Sequence, residues 1–473
     1  MKKITLLGIG LLLDMVLMAQ AEPAQKILTN ECTKNANVSI YVQNLSTGKT
    51  LASYRSQAVV PPASVMKVIT SATALELLGE DFRFSTFLET DGVIEKGVLK
   101  GNLYIRGTGD PTLGSARVGN RSFLYKWAQV LKTLGIREIQ GDVIADASFF
   151  DGDAVNPQWI WEDIGNYYAP GIYAIPYMDN TLNVQLRSAA VGSVAEVVKT
   201  IPYIEGLAFE NHIRCTSITY DGAYIHGVPY SNVRYLVGSV PSNRGIFGVR
   251  GDIPNPPLLL AQHFCMRLRE AGVAVRGHAG YQTETSVTPH TVLYTHFSEP
   301  LPEIIKEVNQ HSNNLYAEQV FRYLGSLMST PCTIANSVEV ERNCWRNRGV
   351  FLNSSFIMDG CGLAPQDALS AETLVQVLSY MWRGNRRQAF LESLPVAGQS
   401  GTLKSFLCGT PLEGKVQAKS GTTSRIKSYA GYIYLPNNQT LAFAVIINNA
   451  NCKPKAVQHI IESFLVDVYQ ANQ

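Results

Sequence analysis

The β-rich stretch between about residues 83 and 295 constrains the fold most, because it separates two regions of helical periodicity. It contains short apolar segments such as FRFSTFLET and VLYTHF, cut by glycine-rich turns. Before it, apolar residues recur at helical spacing from Ser64 to Gly79, and helical spacing returns in LPEIIKEVNQ. We therefore expect one or two inserted β-rich modules rather than a continuation of the helical layer.

Strand patterns occur near both ends of the chain. Residues 38–54 alternate apolar and polar side chains around a Ser-Thr-Gly turn, which predicts a strand, a turn and a second strand. Near the end, SYAGYIYLPNNQTLAFAVIINN predicts two strands joined by an Asn-Asn turn, and KAVQHIIESFLVDVYQ predicts a terminal amphipathic helix.

The first 21 residues have the pattern of a secretory signal peptide. A basic start precedes an apolar run from Ile4 to Met18, and Ala-Gln-Ala at 19–21 offers a cleavage site. The run is shorter than the ~20 apolar residues of a membrane-spanning helix and contains Asp14, so a membrane anchor is the weaker alternative. We expect an exported protein with no stable membrane insertion after signal removal.

Length and composition exclude several classes of protein. Removing 21 of the 473 residues leaves 452, which is too long for one hydrophobic core. The 40 basic and 38 acidic side chains nearly balance, so nucleic acid is a poor candidate partner. The cysteines and histidines show no Cys-x-x-Cys or His-x-x-x-His spacing, so no metal or other cofactor is expected. The pairing of the eight cysteines stays open.

Ser64 and Lys67 form a candidate nucleophile and base at the start of a predicted helix. Serine is a weak nucleophile unless a base lies within hydrogen-bond distance, and residues three apart share a helix face. Lysine serves as a base where burial or a second cation disfavours its charged form. The same Ser-x-x-Lys spacing also begins at Ser46 and at Ser424, which we interpret as a turn and an approach to a strand. A second cation is therefore needed to support the assignment.

Two further motifs supply that support. Ser312-Asn313-Asn314 is the one Ser-x-Asn sequence in the chain and lies between two helical stretches. Lys419-Ser420-Gly421 is the one Lys-[Ser/Thr]-Gly sequence and stands just ahead of a strand-like run. The three motifs in this order are typical of penicillin-binding proteins and β-lactamases.

The requirements of amide acyl transfer give each catalytic candidate a role. Ser64 attacks the carbonyl, and Lys67 accepts the proton of its hydroxyl. Lys419 supplies the positive potential that keeps Lys67 deprotonated. Ser312 and Asn314 can relay a proton to the leaving amine and hold the substrate amide.

The third motif also provides groups for binding the substrate. The hydroxyls of Ser420 and Thr422 can bind a terminal carboxylate. Backbone N–H groups of Ser64 and Thr422 would form an oxyanion hole, and Gly421 permits the close approach that this demands.

Several further sequences, and one long gap, accompany the three motifs. They are PASVMK at 62–67, GDPTL at 109–113, GD at 141–142 followed by Asp146, and DGCGL at 359–363. Ser312 follows Ser64 by 248 residues, a longer interval than in β-lactamases. With these features the mature chain resembles the low-molecular-mass class C penicillin-binding proteins, the D-alanyl-D-alanine carboxypeptidase/endopeptidase family.

The resemblance implies an α/β fold: a split transpeptidase/β-lactamase-like domain, with an antiparallel sheet flanked by helices, that carries two inserted β-rich domains. The expected division is a signal peptide at 1–21, a catalytic domain at 22–82 and 295–473, an inserted domain at 83–175 and 255–294, and a nested second insertion at 176–254.

The resemblance also implies a function. It is that of a serine-type carboxypeptidase and endopeptidase that acts on peptidoglycan stem peptides and cross-links through an acyl-enzyme at Ser64. β-Lactams would be covalent inhibitors, and the compartment would be the periplasm. Asp146 matches a family position that meets the diamino acid of the stem, although a surface-loop aspartate is an equally good interpretation.

Departures from the family pattern affect substrate preference rather than acylation. Ser420 replaces the usual threonine, and Ala364-Pro365 replaces a Ser-Arg pair. Cys361 stands where serine is usual, and we interpret it as a buried or bridged cysteine rather than a reactive thiol. The alternatives are a β-lactamase or esterase on the same scaffold, and a non-enzymatic cell-wall-binding protein.

Overall fold

A computed structural model describes residues 24–286, 288–352 and 354–473. The predicted signal peptide, residues 1–21, lies outside these ranges. Within them, no helix has both the length and the apolar character required to cross a membrane. The described residues form two compact units.

The helices are numbered along the chain. They are α1 Gln25–Thr29, α2 Lys67–Leu78, α3 Phe123–Thr133, α4 Pro256–Glu270, α5 Leu301–Gln310, α6 Asn314–Leu324, α7 Ile334–Arg346, α8 Ala371–Arg383, α9 Arg387–Ser393 and α10 Pro454–Gln470. Short 3-10 turns lie at Ala63–Met66, Met178–Asn180, Gly325–Leu327 and Gly401–Leu403.

The strands are numbered in the same way. They are β1 Asn37–Asn44, β2 Thr50–Tyr54, β3 Ser85–Thr90, β4 Val93–Glu95, β5 Val98–Lys100, β6 Leu103–Gly107, β7 Glu138–Ile139, β8 Val143–Asp146, β9 Thr181–Ser188, β10 Glu196–Ile201, β11 Ala208–Asn211, β12 Arg214–Thr216, β13 Gly222–His226, β14 Val233–Pro241, β15 Gly245–Asp252, β16 Ala274–Val275, β17 Ala279–Gln282, β18 Thr291–Phe297, β19 Val416–Thr422, β20 Ile426–Tyr434 and β21 Thr440–Asn448.

The elements predicted outside the β-rich stretch are confirmed. Strands β1 and β2 pair antiparallel, as do β20 and β21, and α10 ends the chain. The helix predicted from Ser64 begins as a 3-10 turn and continues as α2. It ends before Gly79, whose φ of 82° favours glycine at a helix C-terminus.

Lys419-Ser420-Gly421 stands just ahead of the predicted strand β20, as expected, but these residues also lie inside a further strand, β19, that the sequence pattern did not indicate. Lys419 and Ser420 are buried in this strand, so polar side chains occupy positions where an apolar pattern would have indicated a strand. At a site of this kind, polar residues replace the apolar residues that would otherwise indicate a buried strand.

The first unit is built on one antiparallel sheet. It comprises the described residues up to Glu80 together with Ile305–Asn313 and Val338–Gln473. The strand order is β19-β20-β21-β1-β2. Strand β21 has all nine of its residues buried, because its apolar sequence TLAFAVIIN lies in the middle of the sheet.

Helices cover both faces of this sheet. Side chains of α1 and α10, including Ile27, Ile461 and Phe464, join one apolar cluster with those of the strands. Helix α8 packs against β1, β20 and β21, and α2 packs against α8. Residues from Lys67 to Leu75 are buried in succession, so α2 is a central helix rather than an amphipathic surface helix.

The second unit comprises Asp81–Ile304 and Asn314–Ser337. One sheet has the order β17-β8-β6-β3-β18, and another has the order β16-β7-β5-β4. Helices α3 and α4 contribute Trp127 and Phe264 to its core, where the two rings lie edge to face at 5.5 Å. This is the β-rich architecture that the short segments indicated.

Two more sheets use strands that all lie between Thr181 and Asp252. Their orders are β10-β9-β15 and β11-β14-β12, with β13 paired to β14. Residues 295–304 and Asn314–Ser337, which the sequence analysis assigned to the catalytic domain, group here with the second unit. The division of the insertion into two domains stays a prediction.

Asp110 is a buried carboxyl group in the second unit. Its Oδ1 accepts hydrogen bonds from the Thr112 backbone N–H at 2.8 Å and the Thr112 hydroxyl at 2.6 Å. Its Oδ2 has no hydrogen-bond partner among the described residues. Burial raises the pKa of Asp110 from 3.8 to about 6. The folded protein therefore holds this proton more tightly than the unfolded chain does.

We expect the carboxyl of Asp110 to lower the free energy of unfolding as the pH rises from about 4 to about 7, by about 3 kcal/mol. The variant Asp110→Asn lacks the titrating carboxyl group. The thermal stability of the variant relative to that of the wild type should therefore improve as the pH rises. Calorimetry of both proteins across this range tests the effect. The exposed Asp153 provides the control Asp153→Asn, and a difference between Asp110→Asn and wild type that is constant with pH would contradict the prediction.

Candidate active site

Ser64 lies in the 3-10 turn Ala63–Met66 that leads into α2. Ala63 has a φ of 49°, a conformation that costs free energy in a residue other than glycine. The packing around it maintains this strain: a Cβ added to Gly362 would overlap the Ala63 carbonyl. The turn therefore holds Ser64 in one orientation, with its side chain half-buried.

Lys67 lies against the Ser64 hydroxyl, as the spacing of three predicts. Its Nζ is 3.0 Å from Ser64 Oγ, and the side chain is fully buried. Nζ also donates a hydrogen bond to the backbone carbonyl of Cys361 at 2.6 Å. A neutral amine can donate to this carbonyl and still direct its lone pair at the serine hydroxyl, which is the arrangement of a general base.

The loop that carries the Cys361 carbonyl is held by Asp359. This buried carboxylate accepts hydrogen bonds from four backbone N–H groups, those of Cys361, Gly362, Leu363 and Ala364, at 2.6 to 3.1 Å. Thr70 on α2 donates its hydroxyl to the Gly360 carbonyl at 2.8 Å. Residues 359–363 were given no role from the sequence, and in the structure this segment positions the side chain of Lys67.

The thiol of Cys361 is buried, with 0% exposure, and lies 3.5 Å from Asp359 Oδ2. A fully buried thiol is inaccessible to reagents in solution. The interpretation of Cys361 as a buried residue is therefore preferred over a reactive thiol.

Lys419 is the second cation of the site. Its Nζ donates to Ser312 Oγ at 2.9 Å and to the Ser420 carbonyl at 2.7 Å. Burial lowers the pKa of Lys419 well below its usual 10.5, and the nearby charges of Lys67 and Lys427 lower it further. Because repulsion between like charges is mutual, a charged Lys419 disfavours a second charge on Lys67.

Ser312 lies in the turn between α5 and α6, as expected. Its φ of 55° is a second strained conformation in a residue that is not glycine. Sparsely populated conformations of this kind concentrate at functional sites, where the surrounding structure holds them. Ser64 therefore follows a residue with a strained backbone conformation, and Ser312 adopts such a conformation itself.

Strand β19 comes close to the Ser64 turn at Gly421. A Cβ added there would lie 2.8 Å from the Pro62 carbonyl, 3.0 Å from the Ser64 nitrogen and closer still to Ser428 Oγ. Ser428 donates its hydroxyl to the same Pro62 carbonyl at 2.6 Å. Only glycine therefore allows the two backbones to come together.

Thr402 and Lys427, for which the sequence indicates no role, contact the third motif. Ser420 Oγ is 2.8 Å from Thr402 Oγ1, which lies in the 3-10 turn Gly401–Leu403. Lys427 Nζ is 2.9 Å from Thr422 Oγ1, although its Ser-x-x-Lys spacing was set aside as an approach to a strand. The short connection between β19 and β20 was the available signal, because it pairs Thr422 with Lys427 across the hairpin.

Asn314 and Asp146 belong to the second unit. Asn314 is the first residue of α6, and its side-chain amide donates to the Tyr168 carbonyl at 2.7 Å. Asp146 ends β8 with 2% exposure and accepts a hydrogen bond from the Ser148 N–H at 2.9 Å. Asp146 is thus neither in a surface loop nor freely accessible, and the roles of both residues in substrate binding stay predictions.

Similarity to known proteins identifies the family of this chain. A sequence profile of the D-Ala-D-Ala carboxypeptidase 3 (S13) family matches residues 20–468. The chain belongs to this family. The match confirms the resemblance inferred from the motifs. Together with the relatives described below, it also confirms that the chain is a peptidase, and therefore a hydrolase.

Relatives of this carboxypeptidase-family chain match it along most of its length. The D-alanyl-D-alanine carboxypeptidase DacB of Haemophilus influenzae is 26% identical over 428 residues, which cover 89% of this chain and 87% of the relative. The D-alanyl-D-alanine carboxypeptidase of an Actinomadura species is 28% identical over 455 residues, with 93% and 83% covered.

A solved structure supports the fold class. The crystal structure of penicillin binding protein 4 (dacB) from Haemophilus influenzae has a TM-score of 0.81 to this chain at 24% identity. The match covers 95% of this chain and 98% of that chain. The predicted α/β fold is therefore confirmed.

Because β19 and the Ser64 turn lie so close together at Gly421, even the addition of one methyl group there should strongly slow acylation. Gly421→Ala should slow covalent labelling of Ser64 by a β-lactam about 100-fold or more, because the added methyl group displaces β19 from the Ser64 turn. Mass spectrometry over time gives the labelling rate. Gly280→Ala is the matched control, since its new Cβ would meet only Ile144, at 3.9 Å. Labelling of folded Gly421→Ala within threefold of wild type would refute the argument.

Proposed function

We propose that this chain is a serine-type D-alanyl-D-alanine carboxypeptidase and endopeptidase that acts on peptidoglycan stem peptides and cross-links. The observation that carries the proposal is the hydrogen bond of 3.0 Å between Lys67 Nζ and Ser64 Oγ, with Lys419 held at 2.9 Å from Ser312 Oγ. The relatives named D-alanyl-D-alanine carboxypeptidase support it.

In the proposed acylation step, the Ser64 hydroxyl gives its proton to Lys67 Nζ as its oxygen attacks the carbonyl of the penultimate D-alanine. The backbone N–H groups of Ser64 and Thr422 stabilise the oxyanion that forms. The C–N bond then breaks, and Ser312 relays a proton to the departing amine, with Asn314 holding the substrate amide. The products are an acyl-enzyme and the released amine, which is a free D-amino acid or, from a cross-link, the acceptor strand.

Water completes the proposed reaction by attacking the acyl-enzyme ester and restoring the Ser64 hydroxyl. A β-lactam would follow the first step alone, because its amide nitrogen remains tethered to the acyl group after the ring opens. The amine therefore does not diffuse away, and the adduct persists. One of the matching solved structures is a penicillin binding protein 4 complexed with a β-lactam, which supports this part of the proposal.

We also propose that the protein is secreted across the inner membrane and works in the periplasm. The proposed substrate lies outside the cytoplasmic membrane, and the first 21 residues have the pattern of a cleavable signal peptide.

Intact-protein mass spectrometry after incubation with benzylpenicillin tests the nucleophile. Wild type should gain the mass of one penicillin, and Ser64→Ala should gain none because it lacks the attacking oxygen. Ser46→Ala is a matched control, since Ser46 begins another Ser-x-x-Lys sequence, and its adduct should be unchanged. No adduct on folded wild type would refute the proposal, whereas a transient adduct with rapid penicillin hydrolysis would favour a β-lactamase.

The role of Lys67 as a base predicts that charge alone cannot replace it. Lys67→Arg should slow acylation by about 100- to 10,000-fold, because a guanidinium stays protonated and cannot accept the serine proton. Labelling with benzylpenicillin, stopped at successive times, gives the acylation rate. The control is Lys49→Arg, in the Ser-x-x-Lys sequence that begins at Ser46. A rate for Lys67→Arg within tenfold of wild type would assign the base elsewhere.

A further inference from the structure

The ammonium group of Lys427 lies beside the end of the third motif. Lys427 is half-buried near the start of β20, directly across the hairpin from Thr422. Its Nζ donates to Thr422 Oγ1 at 2.9 Å and lies 5.1 Å from the centre of the Tyr429 ring. A hydroxyl and an aromatic face thus orient this cation.

Lys427 has no carboxylate within ion-pair distance in the described part of the chain. Glu462 on α10 acts on it at longer range only. The oxygens of Glu462 accept hydrogen bonds from the Leu407 N–H at 3.0 Å, from Gln458 at 2.9 Å and from His459 at 2.8 Å. The charge on Lys427 is therefore left without an anionic partner.

Burial makes this unpaired charge unfavourable. Desolvation lowers the pKa of Lys427 from its usual 10.5, and the nearby Lys419 is a second cation. A partly desolvated cation gains more from an anion than a cation in water does, because the local dielectric is lower. An anionic ligand at this point would relieve the cost.

The register of the hairpin places hydroxyl groups on the same face. Directly paired residues of an antiparallel sheet project on one side, so Thr422 lies with Lys427 and Ser420 lies with Tyr429. Ser420 Oγ in turn contacts Thr402 Oγ1 at 2.8 Å. Hydroxyl groups and one ammonium group without a carboxylate partner therefore line the same side of β19 and β20, which is a suitable arrangement for a carboxylate.

We propose that Lys427 is a specificity-determining residue, which binds the free carboxylate of the D-amino acid on the leaving side of the scissile bond together with the hydroxyl of Thr422. This inference rests on the proposed function. It adds a cation from β20 to the carboxylate site that the third motif forms on β19. Lys427 acts on recognition of the substrate and not on proton transfer, since its contacts are with Thr422 and Tyr429.

The experiment compares benzylpenicillin with its methyl ester, which lacks the free carboxylate. Lys427→Met should lower the acylation rate constant for benzylpenicillin about 10- to 100-fold and that for the ester less than about threefold. Lys427→Arg should restore most of the rate for benzylpenicillin, because it returns the charge. Lys415→Met is the matched control: Lys415 also contacts a hydroxyl, that of Tyr469, at 2.6 Å, and lies over its ring at 4.9 Å.

The possible outcomes distinguish a role of Lys427 in carboxylate binding from a structural role, and both from a failure of the proposed function. An equal loss for acid and ester, or a loss in Lys427→Arg equal to that in Lys427→Met, would give Lys427 a structural role and overturn the proposal. An unchanged rate for Lys427→Met would also overturn it while leaving the proposed function intact. No adduct on wild type with benzylpenicillin would contradict the proposed function, and this inference would fall with it.

Discussion

The mutual repulsion of two buried lysines governs the chemistry of the site. Lys67 and Lys419 are both excluded from solvent, and an isolated ammonium group in such surroundings costs several kcal/mol. Lys67 donates to the Cys361 carbonyl and Lys419 to the Ser420 carbonyl. A carbonyl accepts an N–H from a neutral amine as well as from an ammonium group, so these contacts orient both nitrogens without fixing their charge. Repulsion between the two lysines favours one neutral nitrogen, which is the base in the proposed acylation.

The rest of the first unit keeps these groups in place. Strand β19 is hydrogen-bonded to β20, which is hydrogen-bonded to the fully buried β21. Catalytic geometry must be held within about half an ångström, and a sheet with both faces covered provides that rigidity. The strained backbone at Ala63 and Ser312 persists for the same reason, because the packed surroundings allow no relaxed alternative.

The sequence was most informative where the chemistry depends on local spacing. Ser64 and Lys67 are neighbours on a helical turn, so their contact could be predicted from an interval of three residues. The support from Asp359 could not, because it acts through backbone N–H groups that leave no side-chain pattern. The contact of Lys427 with Thr422 depends on the register of a hairpin, and polar residues concealed the strand in which Thr422 lies.

The alternation of side chains along β19 separates two tasks. Lys419 and Gly421 face the groups of the proposed acylation step, since Lys419 contacts Ser312 and Gly421 abuts the Ser64 turn. Ser420 and Thr422 project to the opposite side. A change on the recognition face, such as serine for the family's usual threonine at 420, therefore leaves Lys419 and Gly421 in position. Substrate preference can diverge along one strand while the acylation geometry is preserved.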